Sequence, residues 1–282
     1  MIQLQYINAN QQSLALGDDS DFALIDFTGI TPPKANIQIQ AIAGFDGATF
    51  VNASVNPRNL VLTLQLQVEV EANRQKLYEL FKIKQKGTLI YTSERIEAQI
   101  EAYVEALEIP PMSWPVKAMI SLLCPQPYFE ALQDILTDIS FIESTFTFPL
   151  ELTDVGVEMG IVVPSEAVNL YNPGDISVGM KIRYSANGEV VNPKLINTQT
   201  LAFIELQTTM LAGDVLTITT DVGKKRIERL RGGEVTNLFN ALALGSTFLQ
   251  LEEGDNVLYA TSSSGSSSLF TEITFRPKYS GV

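Results

Sequence analysis

The chain has 282 residues with no histidine, one cysteine (Cys124) and one tryptophan (Trp114), so it lacks the side chains for a Ser-His-Asp triad, a Cys-His pair, a histidine-ligated metal or an internal disulfide. Lys and Arg total 19 against 32 Asp and Glu, and the resulting net charge of −13 argues against phosphate-backbone binding as the main role. A hydrophobic content of 45% with 18% charged residues describes a folded chain long enough for two domains.

Residues 1–140 carry 16 acids and 9 bases, and residues 141–282 carry 16 and 10, so no tail accounts for the charge. No stretch is long and apolar enough to span a bilayer, and the opening MIQLQYINANQQ lacks the layout of a signal peptide. These features predict no membrane insertion and a soluble product that is intracellular or leaves the cell without secretion.

In chain order, Gly17-Asp18-Asp19-Ser20-Asp21 has the acids of a calcium loop without its closing Glu, and reads as a polar turn before a strand over 22–27. The 40–58 segment is rich in turn residues and carries aromatics between two strands. Every second residue from Leu60 through Val70 is apolar, the pattern of a strand with one buried face. A helix is predicted over about 73–86, capped by Asn73, with Leu77, Leu80 and Phe81 on one face. Lys82, Lys84 and Lys86 then fall near its C-terminal end, and Gly87 closes it.

Residues 93–108 fit both periods. Ile96, Ile100, Val104 and Leu107 suit a helix capped by Ser93, while Ile96, Ala98, Ile100, Ala102, Val104 and Ala106 alternate as in a strand. Trp114 beside Pro115 reads as a packing residue. Val116 to Cys124 alternates again until Pro125 and Pro127, which makes Cys124 a small buried hydrophobe.

A domain boundary is predicted near residue 140. Beyond it, short apolar runs are separated by turn signals, the signature of a β-sandwich or barrel. Asn187-Gly188 is the strongest hairpin signal, because both central residues of that turn type need positive φ. Lys224-Lys225-Arg226 with Arg229 and Arg231 reads first as a charged edge strand, and second as a contact for an acidic partner. TSSSGSSS at 261–268 reads as a mobile loop.

Chemistry finds little footing. Glu101 with Glu105, or Asp154 with Glu158, would be a glycosidase pair only by coincidence, and they read as solvated acids. No nucleophile-elbow, phosphate-loop or dinucleotide fingerprint occurs in a suitable setting. The expectation is a protein that is not an enzyme and has no cofactor and no metal site. Tyr171, Tyr184, Tyr259 and Tyr279 are the tyrosines available to a sugar-stacking face in the second domain, without an evident cluster.

Several of these segments, taken together, resemble the distal tail protein (Dit) family of long-tailed phages. The resemblance rests on GFDGATF at 44–50, Arg58 before the alternating strand, NRQKLYELFKIKQKGTLIY at 73–91 and Glu94-Arg95. It continues through Cys124-Pro125-Gln126-Pro127-Tyr128-Phe129, where the family has Asp in place of Gln126. In the second half it rests on Asn172-Pro173-Gly174-Asp175, Asn192 to Asn197, Ala212 to Leu216, Phe248-Leu249, Gly254-Asp255-Asn256 and FRPKYSGV, so it spans nearly the whole chain.

The resemblance implies a mainly β protein with one principal helix. Residues 1–140 would form a β-rich ring domain with a projecting β-arm, and 141–282 a galectin-like sandwich. It also makes 93–108 a strand. Copies of such proteins form a hexameric ring at the distal end of the tail, each arm embracing a neighbour. The ring lies between the tail tube protein and the hub or tail-associated lysin; some relatives also dock a receptor-binding protein. DNA passes through the channel without specific binding, and a negative net charge agrees with a lumen that repels phosphates. The implied location is the virion tail tip, assembled in the host cytoplasm.

On this basis Phe45, Asp46, Phe50, Asn52 and Arg58 are the candidate residues of the arm or its neighbour's socket. An ordinary hairpin with core phenylalanines is the competing reading. A cell-wall carbohydrate-binding module is the alternative function, although the second domain lacks the histidine and tryptophan of galectin sugar contacts. A wall hydrolase ranks third.

Overall fold

The computed structural model describes residues 2–17, 20–44, 46–112, 114–139, 141–143, 161–163 and 167–282, with backbone alone for 141–143 and 161–163. It divides into two compact units: residues 1–132 with 278–282, and residues 133–277. The division thus falls between Leu132 and Gln133 rather than near residue 140, and the last five residues return to the first unit.

Unit 1 is built on an antiparallel sheet in the order β2-β1-β7-β8-β9-β6-β3. These strands are β1 Gln3–Asn8, β2 Ser13–Leu16, β3 Phe22–Thr28, β6 Arg58–Leu66, β7 Lys86–Thr92, β8 Glu97–Glu108 and β9 Lys117–Cys124. Between β3 and β6 lie β4 Ala35–Ala41 and β5 Ala48–Val55, which pair only with each other. β10 Phe129–Ala131 adds to β8, and the closing strand Lys278–Tyr279 adds to β10. The two ends of the path are consecutive in sequence: Gly17 N–H donates to the Phe22 carbonyl at 3.2 Å across the Ser20 turn. The sheet is not a closed barrel.

Strand period explains which side chains fill this core. Leu60, Leu62, Leu64 and Leu66 of β6 are all buried, as are Ala98, Ile100, Ala102 and Val104 of β8. The 93–108 segment is therefore a strand. Ser93 does not cap a helix; its hydroxyl accepts from Ile96 N–H at 3.2 Å and tightens the β7–β8 turn. The alternating strand ends at Leu66, leaving Val68 exposed and Val70 in the helix.

The helix α1 spans Val70–Leu80, shorter and earlier than the predicted 73–86. Asn73 is inside it and buried, its amide donating to the Val68 carbonyl at 2.6 Å, so it locks the entry turn rather than capping. The predicted face holds: Leu77, Leu80 and Phe81 are buried, with Phe81 stacked on Tyr6 at 4.2 Å between centroids. Burying each of these side chains contributes about 1.5–3 kcal/mol. The exit differs from expectation because the sheet captures the chain. Lys84 has φ +67 and donates its N–H to Val104 of β8 at 2.8 Å, while Lys86 and Gly87 already belong to β7. The three lysines are thus not a helix terminus.

Unit 2 places two sheets around a second core. One runs β11-β24-β15-β20-β21-β22 and the other β14-β23-β17-β18. The first comprises β11 Ile135–Asp138, β15 Met180–Ala186, β20 Val215–Thr219, β21 Arg226–Arg231, β22 Glu234–Asn237 and β24 Leu269–Phe275. The second comprises β14 Val168–Asn172, β17 Lys194–Asn197, β18 Phe203–Glu205 and β23 Gly254–Thr261. Short pairs join β12 Phe141–Glu143 to β13 Ile161–Val163, and β16 Val190–Val191 to β19 Thr209–Met210. Inward residues such as Ile182, Tyr184, Leu195, Ile218, Leu258 and Ile273 are fully buried between the sheets, the sandwich pattern.

Three local expectations for this unit change. Asn187-Gly188 does not make a hairpin: β15 pairs with β20 and β24, β16 pairs with β19, and neither central residue has positive φ. Glycine is needed there for close approach, since a Cβ would lie 2.7 Å from the Ser268 hydroxyl. The basic run is not at a sheet edge, because β22 covers β21. The 261–268 stretch is tied by hydrogen bonds from Val191 to Ser264 and from Ser263 to Val191, at 3.0 and 2.8 Å.

Candidate assembly interface

The β4–β5 ribbon is the feature that a self-contained fold does not explain. Every described residue from 34 to 54 is exposed, and within the described residues the ribbon belongs to no larger sheet. An isolated two-stranded hairpin is marginal in water, so such a ribbon calls for a partner surface.

Its register makes it two-faced. The pairs Ala35↔Val55, Ile37↔Ala53, Ile39↔Phe50 and Ala41↔Ala48 put apolar side chains on one face. The pairs Asn36↔Ser54, Gln38↔Asn52 and Gln40↔Thr49 put polar ones on the other. A bulge at Val51 maintains this, because Phe50 and Ala53 would otherwise alternate to opposite faces. Ile37, Ile39 and Phe50 are 60%, 66% and 62% exposed, a contiguous apolar strip without cover from the described residues.

The five sequence candidates separate on this geometry. Phe45 lies outside the described residues. Asp46 is exposed at the ribbon's tip, Phe50 is on the apolar face and Asn52 on the polar one. Phe50 is therefore no core residue of an ordinary hairpin. Arg58 is elsewhere: it opens β6 with 4% exposure, its guanidinium 4.9 Å from the centroid of the Phe129 ring. Its Nη1 donates to the Gly29 and Ile30 carbonyls at 2.9 and 3.2 Å, and its Nη2 to the Ser280 carbonyl. The sequence candidates missed Ile37 and Ile39, although the alternation in Ala-Asn-Ile-Gln-Ile-Gln-Ala was readable.

Other candidates resolve into internal roles. Glu101 pairs with Lys86 at 2.6 Å, and Glu105 accepts from Ser121 and Asn59 at 2.7 and 2.9 Å; Asp154 and Glu158 lie outside the described residues. Burial pushes the Cys124 thiol up to about 12, as expected of an inert core cysteine. In the basic run, Arg231 forks onto buried Asp214 and holds its carboxyl below the usual range, while Lys225 sits 4.8 Å over the Phe248 ring. Tyr184 is fully buried and Tyr279 belongs to unit 1, which leaves Tyr171 and Tyr259 for any sugar platform. Trp114 is not packed; it is 87% exposed in the β8–β9 loop. No group of three or more acids or cysteines suited to a metal occurs among the described residues.

Both halves of the chain match family models of phage tails. Residues 9–124 match the phage tail protein RIFT-related domain, and residues 173–279 match the siphovirus-type tail component, C-terminal domain. The Dit protein (gp 19.1) of phage SPP1, described as a paradigm of the hub adsorption apparatus in Gram-positive infecting phages, aligns with a TM-score of 0.66. The two are 16% identical, and the alignment covers 98% of each chain. A chain of the phage P2 baseplate in its activated conformation with Ca aligns at a TM-score of 0.49 and 13% identity over 100% of each chain. No curated protein matches the chain. The chain belongs to the siphophage distal tail protein family, structural components of the phage tail.

Proposed function

We propose that this protein is a non-enzymatic adaptor whose unit 1 closes a hexameric ring at the distal end of the tail. The ring lies between the tail tube protein and the hub or tail-associated lysin, is assembled in the host cytoplasm, and lets DNA pass without specific binding. The observation that carries this reading is the two-faced β4–β5 ribbon. A projecting strip with one apolar face, meeting a different surface on the next copy, is the contact type that closes a ring. Its polar face stays wet, so the contact is one-sided and directional.

The test is the solution mass of the purified chain by light scattering across concentration, with negative-stain images of the largest species. A six-fold ring is expected. Ile39→Asp with Phe50→Asp charges the apolar face and is expected to leave monomer at all concentrations while the thermal midpoint stays within the error of the parent. A wild-type chain that remains monomeric even with tube and hub proteins added would refute the reading.

A further inference from the structure

The root of the ribbon is gripped by a part of the chain that lies more than two hundred residues away in sequence. The ribbon leaves unit 1 through Gly29–Lys34 and returns through Asn56 and Pro57 to Arg58. Arg58 donates to the carbonyls of Gly29 and Ile30 on the outgoing segment between β3 and β4, and to that of Ser280 beside the closing strand. Val282 N–H donates to the same Ile30 carbonyl at 3.3 Å, and Gly281 is so close that a Cβ would lie 2.9 Å from Pro32 Cδ and 3.1 Å from Ile30 O. Phe129, in the strand that pairs with the closing strand, lies beneath the guanidinium.

One buried guanidinium therefore ties both roots of the ribbon to Ser280, and the backbone of Gly281 and Val282 closes on the outgoing root. A planar fork suits three carbonyls in fixed directions, which a single ammonium does not. Beyond its root the ribbon joins no larger sheet among the described residues, so its direction is set where it leaves the core.

We infer that Arg58 and residues 278–282 form a clasp that fixes the direction in which the β4–β5 arm leaves its own protomer. Arg58 acts as a positioning residue for assembly, not as part of the contact. The value of such a clasp rests on the ring reading above, because an arm that is aimed beforehand loses less freedom on docking. The aim itself is a property of one protomer and is measured on one.

The experiment is double electron–electron resonance between spin labels at Asn52→Cys on the arm's polar face and Glu97→Cys on β8. It is made in the Ile39→Asp, Phe50→Asp background, so that the protomer is observed alone. Cys124 is buried and takes no label. The parent is expected to give one narrow distance peak. Arg58→Lys, and separately Gly281→Val, are expected to abolish that peak in favour of a broad distribution, with circular dichroism that keeps the parent's β-rich form. Gly281→Ala is expected to fall between them.

An unchanged narrow peak in both Arg58→Lys and Gly281→Val would overturn the clasp; if Arg58→Lys fails to fold, Gly281→Val decides alone. A broad peak in the parent would also overturn it. Failure of the ring reading shows separately, as a wild-type chain that never assembles.

Discussion

At the residue scale, the polar residues that mark the second half are buried organisers of turns. Asn172 is 1% exposed; it accepts from Gly174 N–H at 3.1 Å and donates to the Ile176 and Leu251 carbonyls. Asn256 donates to the Glu252 and Gly254 carbonyls at 2.8 and 3.0 Å, and Asn197 accepts from Gln199 and Thr200 N–H groups. Their replacement by Ala would strand buried backbone groups, so Asn256→Ala is expected to cost about 1–3 kcal/mol in denaturant unfolding. Asp214 is 2% exposed and held ionised by Arg231 and the Leu211 N–H. Because its folded pKa is depressed, its contribution is complete above the unfolded value of about 3.9 and is lost as pH falls through the folded one. Arg231→Ala is therefore expected to lower stability at pH 7. That penalty should shrink below pH ~4, which denaturant titrations at several pH values would read. Cys124 is expected to resist a thiol reagent at pH 8 until denaturant exposes it; rapid native labelling would contradict its burial.

At the element scale, legibility followed the strength of the period. β6 and β9 were readable because alternation on a half-buried sheet leaves a direct record in the residues. The 93–108 stretch carried both periods, and its own residues did not decide between them; pairing with β7 and β9 did, by making Ala98 and Ala102 fillers of a crowded core. The helix face was legible while its ends were not, since Asn73 and Lys84 take their conformations from Val68 and Val104, partners that helix propensity does not see. Asn187-Gly188 misled for the same reason. The ribbon's position was legible from glycines and aromatics, whereas Ile37 and Ile39, which share its apolar face with Phe50, are marked only by the plain alternation of β4. Leu77→Ala, which empties a fully buried site under α1, is expected to cost about 2–5 kcal/mol and to lower the thermal midpoint of unit 1.

At the scale of the whole molecule, the division of the chain redistributes its charge. Unit 1 holds 14 acids and 10 bases, and unit 2 holds 18 and 9. The acidity that looked even along the sequence thus belongs mainly to unit 2. Strand pairing, not composition, marks the division. β10 pairs with the closing strand inside unit 1, and β11 pairs with β24 inside unit 2.

That pairing makes unit 2 a passenger inserted between two neighbouring strands of unit 1. Glu130 lies opposite Lys278 in the antiparallel pair, and Leu132 follows two residues on, so a short turn such as Asn-Gly can rejoin Leu132 to Lys278. A chain with residues 133–277 so replaced is expected to melt cooperatively and keep the β-rich circular dichroism of unit 1. Loss of cooperative melting would mean that the units depend on each other. If it folds, the site between Leu132 and Lys278 is a point at which another domain can take the place of unit 2, by evolution or by design, with the β4–β5 ribbon left untouched.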